Sequence, residues 1–139
     1  MAKIRHLAIH TDDPDRLADF YVQVFGMKRT QDSPAVPGTG RAVWVTDGYI
    51  DVAIIQPHDS KTPRGLNHFG FTLEADEQPG VYRRLAEHDR APYRPPPGRP
   101  YIEDAARDVD GNKFDLSTTG LRSTEKQTER DRAHDPAKV

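Results

Sequence analysis

Two stretches, Ile4-Arg5-His6-Leu7-Ala8-Ile9 and Leu66-Asn67-His68-Phe69-Gly70-Phe71, decide how this chain is built. Each is short and alternating with a histidine in third place, so that His68 answers to His6. The spacing extends outward. Asp12-Asp13-Pro14-Asp15 answers to Glu74-Ala75-Asp76-Glu77, and Phe20 to Tyr82 at the same interval as the histidines. The Asp-Gly pairs at Asp47-Gly48 and Asp110-Gly111 lie one position further apart, and Asp51 and Asp115 two positions, so small insertions accumulate. Such an internal repeat sets the architecture before any single residue does. Modules of about 60 residues are marginal alone, but two packed together share burial.

Within each repeat the periods read strand, helix, strands. Residues 4–11 alternate, with Leu7 and Ile9 on one face and His6, Ala8 and His10 on the other. Asp12 or Asp13 caps a helix with Pro14 in its first turn, Leu17, Phe20, Tyr21 and Val24 form its apolar stripe, and Gly26 suits its end. Residues 41–46 and 49–56 read as a hairpin around Asp47-Gly48, a strong turn signal. The second repeat gives a strand at 66–73, a helix at 78–89 and strands at 102–108 and 112–118. Each unit is βαββ, or βαβββ if 27–30 and 91–93 are short strands. The expected class is α+β, two βαβββ modules forming a curved mixed sheet around a cleft.

Composition bounds what such a domain does. The chain has 139 residues, one domain by length. Only 35% are hydrophobic against 30% charged, little apolar material for a thick core. There is no cysteine, which excludes disulfides, thiolate metal sites and cysteine nucleophiles together. A net charge of −2 gives no electrostatic case for nucleic acid. No apolar run approaches the roughly 18 residues of a membrane span, and the N-terminus lacks a signal-peptide apolar region. A cytoplasmic domain is expected. Residues 1–121 form that domain, with modules at about 3–60 and 64–119. The charged segment 122–139 reads as a disordered tail, having little apolar surface to offset its ordering entropy.

Strand alternation places the polar residues. His68 points away from Phe69, Phe71 and Leu73 and shares its face with Gly70 and Thr72. Asp51 opposes Ile50 and Val52, and Asp115 opposes Phe114 and Leu116. Both histidines and both aspartates therefore fall on the face that the helices do not cover. If the sheets curl around that face, imidazole and carboxylate groups converge from four strands. Neutral imidazole with anionic oxygen suits Fe²⁺, Mn²⁺, Ni²⁺, Co²⁺ or Zn²⁺. A histidine on a half-buried strand is more often a hydrogen-bonded side chain than a ligand. Two at repeated positions, each followed by an aspartate on the same face, shift that balance.

These residues, with Asp13-Pro14, Phe20-Tyr21, Phe25-Gly26-Met27, Asn67-His68-Phe69-Gly70-Phe71 and Asp108-Val109-Asp110-Gly111-Asn112-Lys113-Phe114-Asp115-Leu116, resemble the vicinal oxygen chelate superfamily. That group includes glyoxalase I, bleomycin-resistance proteins, fosfomycin-modifying enzymes, methylmalonyl-CoA epimerase and extradiol dioxygenases. The resemblance covers residues 3–119 and implies the glyoxalase-like fold. It implies a divalent metal on His6, His68 and Asp115, with Asp51 where four-ligand members place another Glu or Gln. Both carboxylates here are Asp, one methylene shorter than usual, so coordination by Asp115 needs closer strands or a bridging water. The resemblance further implies a homodimer.

Retention of both histidines favours an enzyme over the metal-free, drug-sequestering relatives. The expected reaction is isomerase- or lyase-type chemistry on a small substrate chelated through vicinal oxygens, with Glu103 the best-placed base. It shares alternation with Tyr101 and Ala105, although an exposed strand glutamate is the commoner role for such a residue. Two alternatives stand: an Fe²⁺ ring-cleaving dioxygenase, and a metal-free antibiotic- or small-molecule-binding protein. A glutathione-dependent glyoxalase is disfavoured by the short side chain of Asp51. His10 has second-sphere and plain polar readings, and Trp44 has core and substrate-wall readings. His58, His88 and His134 read as surface residues. The loop 31–40 and the proline-rich stretch 92–100 read as loops over the cleft, where Arg94 or Arg99 would meet an anionic substrate.

Overall fold

A computed structural model of the chain describes residues 1–33, 40–95 and 103–118. Its elements run β1 (Lys3–His10), α1 (Pro14–Phe25), β2 (Lys28–Ser33), β3 (Ala42–Thr46), β4 (Asp51–Ile55), β5 (Gly65–Thr72), α2 (Gln78–Glu87), β6 (Asp104–Arg107) and β7 (Lys113–Ser117). The fold is α+β, and the chain divides into two compact units. One spans His6–Asn67, the other the described residues among 1–5 and 68–118.

In the first unit the strand order is β2-β3-β4-β1. β1 and β4 run parallel with His6 opposite Asp51 and Ala8 opposite Ala53, and the β3–β4 hairpin pairs Thr46 with Asp51. The strand after the Asp47-Gly48 turn begins at Asp51, two positions later than the alternation suggests. Asp47 Oδ1 accepts from the backbone N–H of both Tyr49 and Ile50, at 2.8 and 2.7 Å, and draws them into the turn. Behind the sheet, α1 covers a core of Ala18, Val43, Val45, Val52 and Ile54, joined by Ile9, Leu17, Tyr21, Val22, Met27 and Ile50. Asp13 caps α1 by accepting from the Arg16 N–H at 3.0 Å, and Gly26 ends it at φ 69°, where a side chain is strained.

The stripe on α1 differs from the expected one. Phe20 and Val24 are exposed, and the buried positions are Pro14 and Ala18. The starts of α1 and α2 lie two positions further apart than those of β1 and β5, so the counterpart of half-buried Tyr82 is Ala18 and not Phe20. An insertion before the helix moves the repeat out of step.

Where α1 meets β2 and the approach to β3, Asp15 accepts from Arg29 and from Arg41 Nε and Nη2, at 2.9 and 2.8 Å from the latter. Asp32 accepts from both arginines at 3.1 Å. Arg41 first, then Arg29, holds the Asp15 carboxyl well below the usual carboxylate range. A carboxylate whose folded pKa is depressed adds stability above its unfolded pKa, about 3.9, and that contribution is lost as pH falls through the folded value. Asp15→Asn is therefore expected to lower the melting temperature at pH 7, by a modest amount because Asp15 is half exposed. The gap to the wild type should close below about pH 4. Thermal melts followed by circular dichroism across this range check it, and a gap unchanged at pH 2 would refute it.

Gly40 is held by space. A Cβ there would lie 1.4 Å from the backbone carbonyl oxygen of Gln56, whose N–H donates to Arg41 O at 2.8 Å. Gly40→Ala must push one backbone off the other, and a loss of about 2–3 kcal/mol in urea unfolding is expected. No loss would mean that this approach is not tight in solution.

In the second unit the order is β5-β7-β6. β5 and β7 are parallel with Phe69 opposite Phe114 and Gly70 opposite Asp115; β6 and β7 are antiparallel with Ala105 opposite Asp115 and Arg107 opposite Lys113. The core is Leu73, Ala106, Phe114 and Leu116, with Ala2, Phe69, Phe71, Val81, Tyr82 and Leu85 against it, and α2 covers this side. The expected short strand at 91–93 is only a single bridge, Tyr93 to Ala105, its two hydrogen bonds both 2.9 Å. The first module has the full βαβββ sequence. The expected tail, 122–139, lies outside the described residues, as do 34–39 and 96–102. No helix among the described residues is long and apolar enough to cross a membrane.

Candidate functional site

The registers divide the face opposite α2 into rows. One step back from Phe69–Phe114, the parallel register sets His68 beside Lys113, and Lys113 pairs with Arg107. The next row is Gly70, Asp115 and Ala105. The third begins with Thr72 and Ser117, and Glu103, one position before β6, continues the alternation of Ala105 into that row. The Asp108-Val109-Asp110-Gly111-Asn112 turn sets where β7 begins. Asp108 Oδ1 accepts from the N–H groups of Asp110 and Asn112, Oδ2 accepts from Asn112 Nδ2, and Gly111 takes φ 89°. Asn112 holds the Asp108 carboxyl below its ordinary range, so this turn keeps its charge and its shape.

His68 and Asp115 meet diagonally across the first two rows. His68 Nε2 lies 3.0 Å from Asp115 Oδ2, and the side chains are only 14% and 15% exposed. Lys113 Nζ stands 3.9 Å from Asp115 Oδ1. An imidazole nitrogen and a carboxylate oxygen, adjacent and mostly withdrawn from water, are the donor types that borderline divalent metals take. With no thiolate in the chain, this donor set fits a nitrogen–oxygen metal site and not a sulfur one.

His6 and Asp51 belong to the other unit, where they share a row with Thr46 and are 5% and 3% exposed. Beside that row the same face carries an apolar group. Trp44, Ala8, Ala42 and Ala53 cluster there with Ile55, which makes Trp44 a buried residue on the His6 side of the sheet. His10 lies on the same side, opposite Ile55.

The two aspartates are not equivalent. Asp51 sits opposite its histidine, whereas the residue opposite His68 is Lys113, and Asp115 is one row further along. A slip of two positions preserves the face, so alternation assigns the side correctly while sequence spacing misplaces the row. Lys113 is the neighbour that the motif reading passes over, and its place two positions before Asp115 is the signal that it shares that face. Arg94 does not serve this face. Its Nε reaches Asp104 Oδ1 at 2.7 Å, and Asp104 accepts the Tyr82 hydroxyl at 2.7 Å on the α2 side. Burial, together with that bond to Asp104, pushes the Tyr82 hydroxyl above the ordinary phenol range. Arg99 lies outside the described residues, as does His134, while His58 and His88 are exposed as expected.

A family model of the Glyoxalase/Bleomycin resistance protein/Dioxygenase superfamily matches residues 3–116, and the chain belongs to that superfamily. Similar solved structures include a hypothetical protein of Bacillus halodurans C-125, at 15% identity over 83% of this chain and 92% of that one with a TM-score of 0.64. Methylmalonyl-CoA epimerase from Mycobacterium tuberculosis matches at 14% identity over 81% and 85%, TM-score 0.62. A Streptomyces coelicolor methylmalonyl-CoA epimerase variant in complex with 2-nitronate-propionyl-CoA matches at 17% over 82% and 94%, TM-score 0.61. No curated protein matches the chain. At these identities the likeness establishes the glyoxalase-like fold.

Proposed function

We propose that this protein is a metal-dependent enzyme of the superfamily, catalysing isomerase- or lyase-type proton chemistry on a small substrate bound through two neighbouring oxygens. The observation that carries the reading is the His68–Asp115 pair, 3.0 Å apart on the face that α2 does not cover. In this reading His6 is the third ligand and Asp51, in the row of His6, the candidate fourth. A divalent Fe, Mn, Co, Ni or Zn ion on these residues would supply Lewis acidity toward the substrate oxygens. Glu103 is the base. From the third row its carboxylate takes a proton from the carbon beside those oxygens and returns it to the product. The strand neighbours of Asp115 in its row are Gly70 and Ala105, both small and both buried. The epimerases among the similar structures are isomerases by name, which supports proton transfer over ring cleavage.

The test is metal content after purification without chelator, followed by solvent deuterium incorporation into a panel of 2-oxo acids and hydroxyketones. Near-stoichiometric ion, and exchange that stops with EDTA and returns with one of the five metals, are expected. Protein without ion whose melting is indifferent to EDTA and divalent metals would sink the reading. Oxygen uptake with catechols that requires Fe²⁺ would point to a dioxygenase, and ligand stabilisation unaffected by EDTA to a binding protein.

A further inference from the structure

The row His68, Lys113, Arg107 brings two cations to one side of Asp115, a placement that the metal reading does not require. Nor does the fold require it. The register counterparts of Lys113 and Arg107 in the other unit are Asp51 and Thr46. Lys113 Nζ, at 3.9 Å, is too far from Asp115 Oδ1 for a hydrogen bond, and the other carboxylate oxygen lies against His68. Arg107 is exposed and gives one N–H, from Nη1, to Gly111 O at 2.8 Å. On the opposite side of Asp115 stand Thr72, Ser117 and Glu103, hydroxyls and a carboxylate. Between the two rows, Gly70 and Ala105 put no side chain beyond a methyl beside Asp115. Along this face the row nearest the β6–β7 turn carries the cations Lys113 and Arg107, with the turn's own Asp108 and Asp110 beyond them, and the far row carries Glu103.

We propose that Lys113 and Arg107 bind an anionic group of the substrate, a carboxylate carried on the same small molecule whose vicinal oxygens lie at Asp115. The assignment rests on the metal-site reading above and deepens it by naming the substrate class. With a divalent ion held on Asp115, that carboxylate would be neutralised there, and the Lys113 ammonium would be left for another anion. Glu103 repels an anion at the far end, so the two rows set one orientation, with the charged group by Lys113 and the acidic carbon by Glu103. The outer rows are separated by roughly 13 Å of backbone along the strands. Once Lys113 and Glu103 reach inward, the interval suits a compound about the size of a substituted ring or a short dicarboxylic chain.

Two chelating probes that differ only in charge test this: 3,4-dihydroxybenzoate and its neutral amide, titrated calorimetrically into the Zn²⁺-loaded full chain. The wild type is expected to bind the carboxylate about five- to tenfold more tightly than the amide. Lys113→Gln should shrink the carboxylate-to-amide preference and the Lys113→Gln/Arg107→Gln double variant abolish it, Lys113→Arg should keep it, and Lys113→Glu should shrink it further. Equal binding of the two probes by the wild type, or a preference that survives the Lys113→Gln/Arg107→Gln double variant, would overturn the assignment while leaving the metal site standing. Failure of the protein to take up Zn²⁺ at all would overturn both.

Discussion

Replacing His68 by alanine is expected to weaken divalent-ion binding at least about a hundredfold, the upper end of what losing even an outer-sphere partner costs. The imidazole is the nitrogen donor beside Asp115, and its loss leaves that carboxylate next to the Lys113 ammonium, which coordinates no metal while protonated. The same change should barely disturb the ion-free fold. His68 projects from the face opposite the Phe69–Phe71–Phe114 cluster, whose rings pack with centroids 5.5–5.7 Å apart and hold β5 to β7 without it. The two effects separate in one experiment. Wild-type melting should rise on adding ion, by about 2.7 kcal/mol equivalent at a hundredfold excess over Kd, and the variant should start at a similar temperature and fail to rise. Asp115→Asn should behave alike, and His6→Ala should likewise fail to rise with ion, from a lower starting temperature because His6 is buried. Unchanged affinity in the His68 variant would remove the basis for placing the ion here.

How far the sequence reads ahead of the structure differs between sides of the sheet. The histidine pair is legible because β1 and β5 begin at the same interval as the histidines themselves, and alternation then decides which face each side chain takes. Period-2 logic tolerates slips of two, which is why it puts Asp115 on the correct face but hides its row and the role of Lys113. The helices are less legible. A two-residue insertion turns a helix by about 200°, so Phe20, matched to Tyr82 by repeat spacing, lands in solvent while Ala18 takes the buried place. In the sequence Gly40 is one loop glycine among several. That its Cα faces the Gln56 carbonyl depends on the far end of the β3–β4 hairpin, and local composition carries no trace of it. Arg94 likewise looks free to meet a substrate until its partner Asp104 is found, set on the α2 side by the pairing of β6 with β7.

The second large effect expected is on turnover and concerns Glu103. Glu103→Gln should leave ion binding and melting temperature close to wild type and reduce solvent deuterium exchange by about 10²–10⁴-fold, the usual contribution of a positioned general base. The substitution preserves shape and polarity and removes only the capacity to accept a proton at neutral pH. Glu103 stands in the row of Ser117, one step beyond Asp115 on the same face, so a change there leaves the His68–Asp115 contact untouched. Glu103→Asp, which keeps the base but withdraws it by one methylene, should fall between the two. Asp104 provides the internal control. It is the adjacent carboxylate but lies on the α2 side, bound to Arg94 and to Tyr82, so Asp104→Asn should cost stability and not chemistry. If Glu103→Gln exchanges at the wild-type rate while Asp104→Asn does not, the base lies on the other face, among the groups that α2 covers.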